Sequence, residues 1–390
     1  MLGKWLRKEM KFSRSTKSSL SDWWWTVDRV QLGAILILII FGIVLNLAAS
    51  PPIAERLNYS DQYYFVKKQS IFIVFGALVT IFFSFLNVKN IRRLCLLIFS
   101  VSLISIFFIN IFGAEIKGAT RWMDLGIISL QPSEFAKPAF IVLISWLMSE
   151  SIIKKAPGKL LSFILYILLI IGLILQPDIG QAILVTLSAT IIYFITGMPM
   201  IIGLIIFLLS LTGIALSYIY IDHFTQRLNI FLNPNLGDTY QIDTAYNAII
   251  NGGWFGVGPG EGTIKNILPD AHTDFIFAVA AEEFGLISCF IIIFLFAFII
   301  FRGVKRSLNQ QNLFAKISTI GLVSLICLQM GINIAVNLGI VPTKGMTLPF
   351  ISYGGSSAIS IAITFGLILA FTRQKKTNFE YSSRKLSFQS

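Results

Sequence analysis

Ten apolar runs, each close to the length that crosses a bilayer, constrain this chain more than any other feature. They lie at about 30–49, 69–87, 94–112, 133–150, 159–176, 179–196, 200–221, 275–301, 314–338 and 351–372. A hydrocarbon slab takes about 20 apolar residues per helix. Inside it every backbone polar group needs a partner within the protein, which leaves helices or closed barrels. The runs are far too long for barrel strands. The expected fold is therefore all-α, a polytopic integral membrane protein with ten transmembrane helices. Only 13% of the residues are charged, against about 25% in soluble domains. No stretch between runs is long enough to bury a core of its own, so the expectation is one membrane domain, 29–373, between a tail at 1–28 and a tail at 374–390. The first run is too long for a cleavable signal and should stay as an anchor.

The net charge of +12 would suggest nucleic acid in a soluble protein. Here the basic residues sit in tails and short loops, so nucleic acid is not expected as a partner, and topology and anionic membrane lipids explain them better. With the N-terminus inside, 22 Lys and Arg fall on the inner side and 8 on the outer side. That bias puts both tails in the cytoplasm and the loop 222–274, between helices seven and eight, outside the cell membrane. Trp23, Trp24 and Trp25 before the first span read as an interfacial belt. Cys95, Cys289 and Cys327 each lie within an apolar run and read as small buried hydrophobes rather than disulfide partners.

Four polar clusters then fall on the outer end. Gly118 to Lys137 carries Arg121, Ser133, Glu134 and Lys137. Ser133 is placed to cap span four. Glu134 and Lys137, three apart, share a helix face and can pair, although a lysine at membrane depth usually faces a polar cavity. Gln176 to Gln181 forms a tight turn in which Asp178 restarts a helix. The long outer loop holds six glycines between positions 252 and 262, Lys265, the only two histidines (His223 and His272), and the segment Leu268 to Phe275 with Asp270 and Asp274. No GK[ST] follows the glycines, so they are not a nucleotide loop. The histidines have no metal-ligand spacing. Gln241 to Ile250 fits a short re-entrant or surface helix. Asp274 reads either as the cap of span eight or as a general base, with Asp270, Glu282 and Glu283 as neighbouring carboxylates. Val341 to Ser357, with Lys344, Ser352 and Ser356, reads as a non-helical start to the last span, tolerated at membrane depth only beside a cavity. Cations suit phosphate, a carboxylate suits activation of a hydroxyl, and apolar walls suit a lipid tail. A lipid-linked pyrophosphate donor and a sugar acceptor match that inventory.

GATRW, QPSEFAK, QPDIGQ, LPDAHTDFIFAVAAEE and PTKGMTLPFISYGGSS stand in this order along the chain. In these motifs it resembles the SEDS family of bacterial peptidoglycan glycosyltransferases, over about residues 25–375. YQID…NAIINGGWFGVGPG and the long basic tail resemble the division branch more than the elongation branch. The resemblance implies polymerisation of lipid II into glycan strands, with Asp274 as the catalytic base for the acceptor hydroxyl. Arg121, Glu134, Lys137, Lys265, Asp270, His272, Lys344, Ser352 and Ser356 form the candidate substrate-binding set. It also implies a class B penicillin-binding transpeptidase and other division proteins as partners, and septal localisation in the cytoplasmic membrane. No metal ligand is assigned among the site residues, and a divalent cation such as magnesium is left open as a cofactor. Two positions depart from the family pattern: Asp270 stands where glutamate is commoner, and GVGPG where GVGLG is usual. Two rival expectations accompany this reading, a flippase for lipid II, suggested by Glu134 and Lys137 at membrane depth, and a non-catalytic division scaffold.

Overall fold

The computed structural model describes residues 19–112, 121–124, 129–233, 239–343 and 345–374. The elements are α1 (Ser19–Thr26), α2 (Arg29–Arg56), α3 (Tyr64–Phe85), α4 (Val88–Phe112), β1 (Met123–Asp124), β2 (Ser129–Leu130), α5 (Pro132–Lys154), α6 (Gly158–Leu175), α7 (Ile179–Ile195), α8 (Met200–Tyr220), α9 (Asp222–Leu232), α10 (Tyr240–Gly252), α11 (Ile276–Leu308), α12 (Leu313–Asn337) and α13 (Gly355–Phe371). Every predicted apolar run has become a helix. Among the described residues eight helices are long and apolar enough to cross a membrane, while α7 and α13 have 17 residues each. At 1.5 Å per residue those two reach roughly 25 Å, short of a slab of about 30 Å. The protein is thus a multi-pass membrane protein with two short apolar helices packed among its long ones.

Helix ends depart from the apolar runs where the backbone has its own reasons to stop. α2 continues through Pro51 and Pro52 to Arg56 before Asn58 turns left-handed at φ 56°. Apolar-run length measures the hydrocarbon crossing, whereas helical hydrogen bonding carries on into the interface. The short β1–β2 hairpin, pairing Met123 with Leu130, has no signature in an otherwise helical pattern.

α5 is the most buried of the eight long helices, at 72% of its apolar stretch, and α8 the least, at 11%. The first is therefore the centre of the bundle and the second lies against lipid. α13 is buried over almost its whole length and packs on α3. Gly366 lets the backbone of Thr80 and the side chain of Phe83 approach closely, and Thr80 Oγ1 donates to the Ala362 carbonyl at 3.1 Å. Small residues at such contacts are what membrane helices use to gain packing. Cys95 and Cys289 are buried as expected, but Cys327 is exposed on the flank of α12, because an apolar run does not reveal which face meets lipid.

The end of the bundle opposite the 222–274 loop is closed by a polar latch. Trp23 is buried, stacks on Phe85 at 4.7 Å and donates Nε1–H to Ser84 Oγ at 2.8 Å. This corrects the belt reading for Trp23; Trp24 and Trp25 instead lie under the guanidinium of Arg29. Asp28 caps α2 through Val30 and Gln31 N–H and accepts from Arg302 at 2.7 Å and Arg306 at 3.0 Å. Burial pushes its carboxyl up, but the hydrogen bonds from Arg302 and the Gln31 amide and the charges of Arg306 and Arg302 outweigh this and hold it below 3.8. A depressed folded value means stability that is complete above the unfolded value and lost as pH falls through the folded one. Asp28→Asn should therefore lower the melting temperature at neutral pH, by about 2 kcal/mol of stability given the partial exposure of both arginines. It should also flatten the fall in melting temperature that the wild type shows on acidification below about pH 4. Melting curves in mild detergent across that range measure both.

Candidate functional site

Asp274 stands in the turn that feeds α11. The Asp270 carbonyl accepts the N–H groups of Thr273, Asp274 and Phe275 at 3.1, 3.1 and 3.3 Å, with Asp270 itself left-handed at φ 51°. The cap of α11 is Phe275, and it has no side-chain cap hydrogen bond. Asp274 is therefore not the helix cap, and one of the two sequence readings falls away. Its backbone is gripped from α12. Asn333 Nδ2 and Asn337 Nδ2 each donate to the Asp274 carbonyl at 2.9 Å. Asn337 Oδ1 accepts the Ala278 N–H at 3.1 Å, and Asn333 Nδ2 also donates to the Met346 carbonyl at 2.6 Å. A Cβ placed on Gly345 would lie 3.8 Å from Asp274 Oδ2, so the carboxylate sits beside the bare backbone of Gly345.

Arg227 joins this group from α9. It donates to the Thr343 carbonyl at 3.1 Å. Burial, then the charge of Arg121, push its guanidinium down, while Asp274 and Asp270 push it up. Arg227 thus lies in the field of a second arginine and two carboxylates, the four groups coming from three separate chain segments. The sequence reading passed over Arg227, which has no motif of its own, and Asn333 and Asn337. The asparagines did carry a signal: two amides at i and i+4 in an apolar span share a face and are costly unless they bond.

Arg121 is fixed against the α6–α7 turn. It donates to the carbonyls of Gln176, at 3.2 Å, and Pro177, and lies 3.8 Å from Asp178 Oδ1. Asp178 caps α7 through the Gln181 N–H, as expected. Burial pushes its carboxyl up, against the charge of Arg121. With its side chain 25% exposed, Arg121 keeps an open flank.

Lys137 and Glu134 form a buried ion pair at 2.9 Å. Gln181 Nε2 donates to the same Glu134 oxygen at 2.8 Å, and Ser360 Oγ donates to the Glu134 carbonyl at 2.6 Å. The pair ties α5 to α7 and α13 and is 2–6% exposed. Ser133 does not cap α5, which starts at Pro132 behind Gln131; the proline at the first helical position moves the boundary one residue earlier. Lys265 bonds Glu283 and the Gly260 carbonyl at 3.2 Å, while Glu282 accepts the N–H groups of Ile264 and Lys265 at 2.7 and 2.9 Å. Glu282 and Glu283 are fully buried and hold the loop to α11, so they do not stand with Asp274. His272 is packed between Phe65 and Tyr353, at ring distances of 4.8 and 5.2 Å. Ser352 accepts the Leu348 N–H at 2.8 Å, and Ser356 bridges the Gln131 N–H and the Ser129 carbonyl. These three therefore shape the loops around the site. Lys344 lies outside the described residues.

Two concavities on this end, of about 440 and 540 Å³, are lined by Tyr240, Asp243 and Asn247 and by Pro52, Arg56 and Lys265 respectively. Asp274 lines neither. Among the described residues no group of three or more His, Cys, Asp or Glu is placed to hold a metal.

A bundle of long apolar helices with a convergent charged group at one end defines a polytopic membrane protein whose polar work is done at the membrane surface. The family of cell cycle proteins that groups FtsW, RodA and SpoVE matches residues 29–377, and the chain belongs to it. A relative in Caulobacter vibrioides, a probable peptidoglycan glycosyltransferase FtsW, is 41% identical over 93% of this chain and 94% of its own. Another of the same description in Trichlorobacter lovleyi is 33% identical over 88% of this chain and 92% of its own. Among solved structures, a chain of a peptidoglycan synthase complex that coordinates polymerization and crosslinking superposes with TM-score 0.73 at 26% identity, over 89% of this chain and 97% of its own. The rod shape determining protein RodA of Thermus thermophilus superposes with TM-score 0.67 at 23% identity, over 89% and 96%, and shares the fold.

Proposed function

We propose that this protein is a peptidoglycan glycosyltransferase that polymerises lipid II during cell division, with Asp274 as general base. The observation that carries the catalytic assignment is the placement of Asp274. Its main chain is clamped by two asparagines, it stands one residue ahead of the cap of α11, and its carboxylate lies beside Gly345 within the field of Arg227. Asp274 takes the proton of the acceptor sugar 4-hydroxyl. The oxygen attacks the donor anomeric carbon, the bond from that carbon to the pyrophosphate oxygen breaks, and undecaprenyl pyrophosphate leaves with the electron pair. Arg227 and the open flank of Arg121 are the cations that meet the pyrophosphate, together with Lys344. Lys137 and Lys265 serve this chemistry through their ion pairs, by fixing the helices and the loop. A divalent cation, for which the described residues offer no ligand group, would serve only as a counter-ion of the pyrophosphate, and loss of polymerisation in EDTA with recovery in magnesium is the measurement that tests it.

The charge bias supports cytoplasmic tails and an outward-facing site in the cytoplasmic membrane. The synthase complex among the structural neighbours supports a class B penicillin-binding transpeptidase as partner, and the FtsW relatives support placement at the septum. A fluorescent fusion that lined the side wall instead would overturn the septal assignment.

The asparagine clamp makes a separate expectation. Asn337→Leu keeps the γ-branched shape and removes both the bond to the Asp274 carbonyl and the bond from the Ala278 N–H. Each orphaned group costs about 1–3 kcal/mol, and the Asp274 turn should loosen. Polymerisation of labelled lipid II should fall by roughly 10-fold or more in protein that still elutes as a folded monodisperse peak. Unchanged turnover would show that the clamp does not position the base.

A further inference from the structure

We infer that residues 240–266 form a re-entrant hairpin that dips into the lipid, with Trp254 and Phe255 at its tip in contact with acyl chains. The inference rests on the membrane fold alone and not on the catalytic assignment. From Thr244 to Gly260 the sequence holds no Asp, Glu, Lys or Arg, although both flanks are charged. α10 descends along α11, and the chain turns at Gly253 to Gly256 and returns through the single helical turn Ile264–Asn266. At the turn Trp254 is 63% exposed and Phe255 82%. A water-facing loop does not need such a tip, and a contiguous apolar surface of this kind marks an interaction site.

The backbone of the turn is satisfied in the way membrane depth demands. α11 is broken at Gly285 (φ 76°, ψ 178°). The Val257 and Gly258 N–H groups donate to the carbonyls of Glu282 and Glu283 at 2.9 and 3.1 Å. The N–H groups of Leu286 and Ile287 donate to Gly253 and Trp254 at 2.9 and 3.3 Å. Each segment supplies partners that the other lacks.

Depth follows from α11 itself. Arg302, paired with Asp28, marks the opposite boundary of the apolar zone. Ile287, bonded to Trp254, stands about fifteen residues before it, roughly 22 Å along the axis at 1.5 Å per residue. That lies within a hydrocarbon slab of about 30 Å. The exposed surface of α11 runs on from Ile287 through Phe290 and Phe294, so the tip continues a face that already meets lipid. The occupant is therefore lipid, at the upper level of the acyl chains, where aromatic side chains are favoured.

The test uses the full chain in nanodiscs. A spin label is placed at Phe255→Cys, Phe290→Cys or Glu261→Cys, with the native cysteines replaced by alanine. The label at 255 should match that at 290, with a ratio of oxygen to nickel-chelate collision rates several-fold above that at 261. A label at 255 that behaves like 261 would place the tip in water. One shielded from both reagents would place it under protein. Either outcome overturns the inference. Independently of the cysteines, brominated lipid should quench a smaller fraction of tryptophan emission in Trp254→Phe than in the wild type, and equal quenching counts against lipid contact.

Discussion

Asp274→Asn should abolish lipid II polymerisation while leaving the protein folded. The substitution is nearly isosteric and leaves untouched the backbone bonds through which Asn333 and Asn337 hold this residue. Because the cap of α11 is Phe275, no helix start is lost. What is lost is the group proposed to accept the acceptor sugar proton. General-base catalysis contributes about 10²–10⁴-fold, so glycan formation by purified protein with its transpeptidase partner should drop by at least about 100-fold. The melting temperature should stay close to wild type. Glycan made by Asp274→Asn at the wild-type rate would sink the assignment. Wild-type protein that moves lipid II between vesicle leaflets and makes no glycan would point to transport instead.

Gly285→Ala should be among the most damaging small substitutions in the fold. The residue has φ 76° and ψ 178°, a region essentially closed to side-chain-bearing residues at a cost of about 1–3 kcal/mol. A Cβ there would also stand 2.3 Å from the Trp254 carbonyl oxygen, a clash between two backbones that overpacking penalties of about 1–3 kcal/mol describe. Together these come to about 2–6 kcal/mol, which reaches the lower end of the margin of a typical domain, about 5–15 kcal/mol, and the splice between α11 and the 252–258 loop should come apart. Gly213→Ala on α8 is the control. Nothing lies within 4 Å of its Cβ position, and a helical Gly→Ala in open space should stabilise by about 0.5–1 kcal/mol. Size-exclusion profiles and melting temperatures in mild detergent compare the two. A wild-type melting temperature for Gly285→Ala would mean that the break in α11 is not needed.

Much of the architecture follows from sums over neighbouring residues. Apolar-run length placed ten helices, because hydrocarbon thickness and helical rise turn residue count into distance. Lys and Arg counts lead to an expected orientation for them, because a charge near a helix end acts locally on insertion. The polar island was legible as well, since a segment dense in glycine and carboxylate cannot lie in lipid unpartnered, and Asp274 stood out as a carboxylate at the mouth of a span. Pairings that join remote segments depended on tertiary structure. Arg227 reaches Thr343 across 116 positions, and Asn337 reaches Asp274 across 63. Lys265 and Glu283, each plausible at the site by composition, are instead consumed by one another. A local sequence carries charge, volume and periodicity, but whether a cation faces substrate or a buried partner depends on which helix packs beside it. That choice is made by the bundle as a whole.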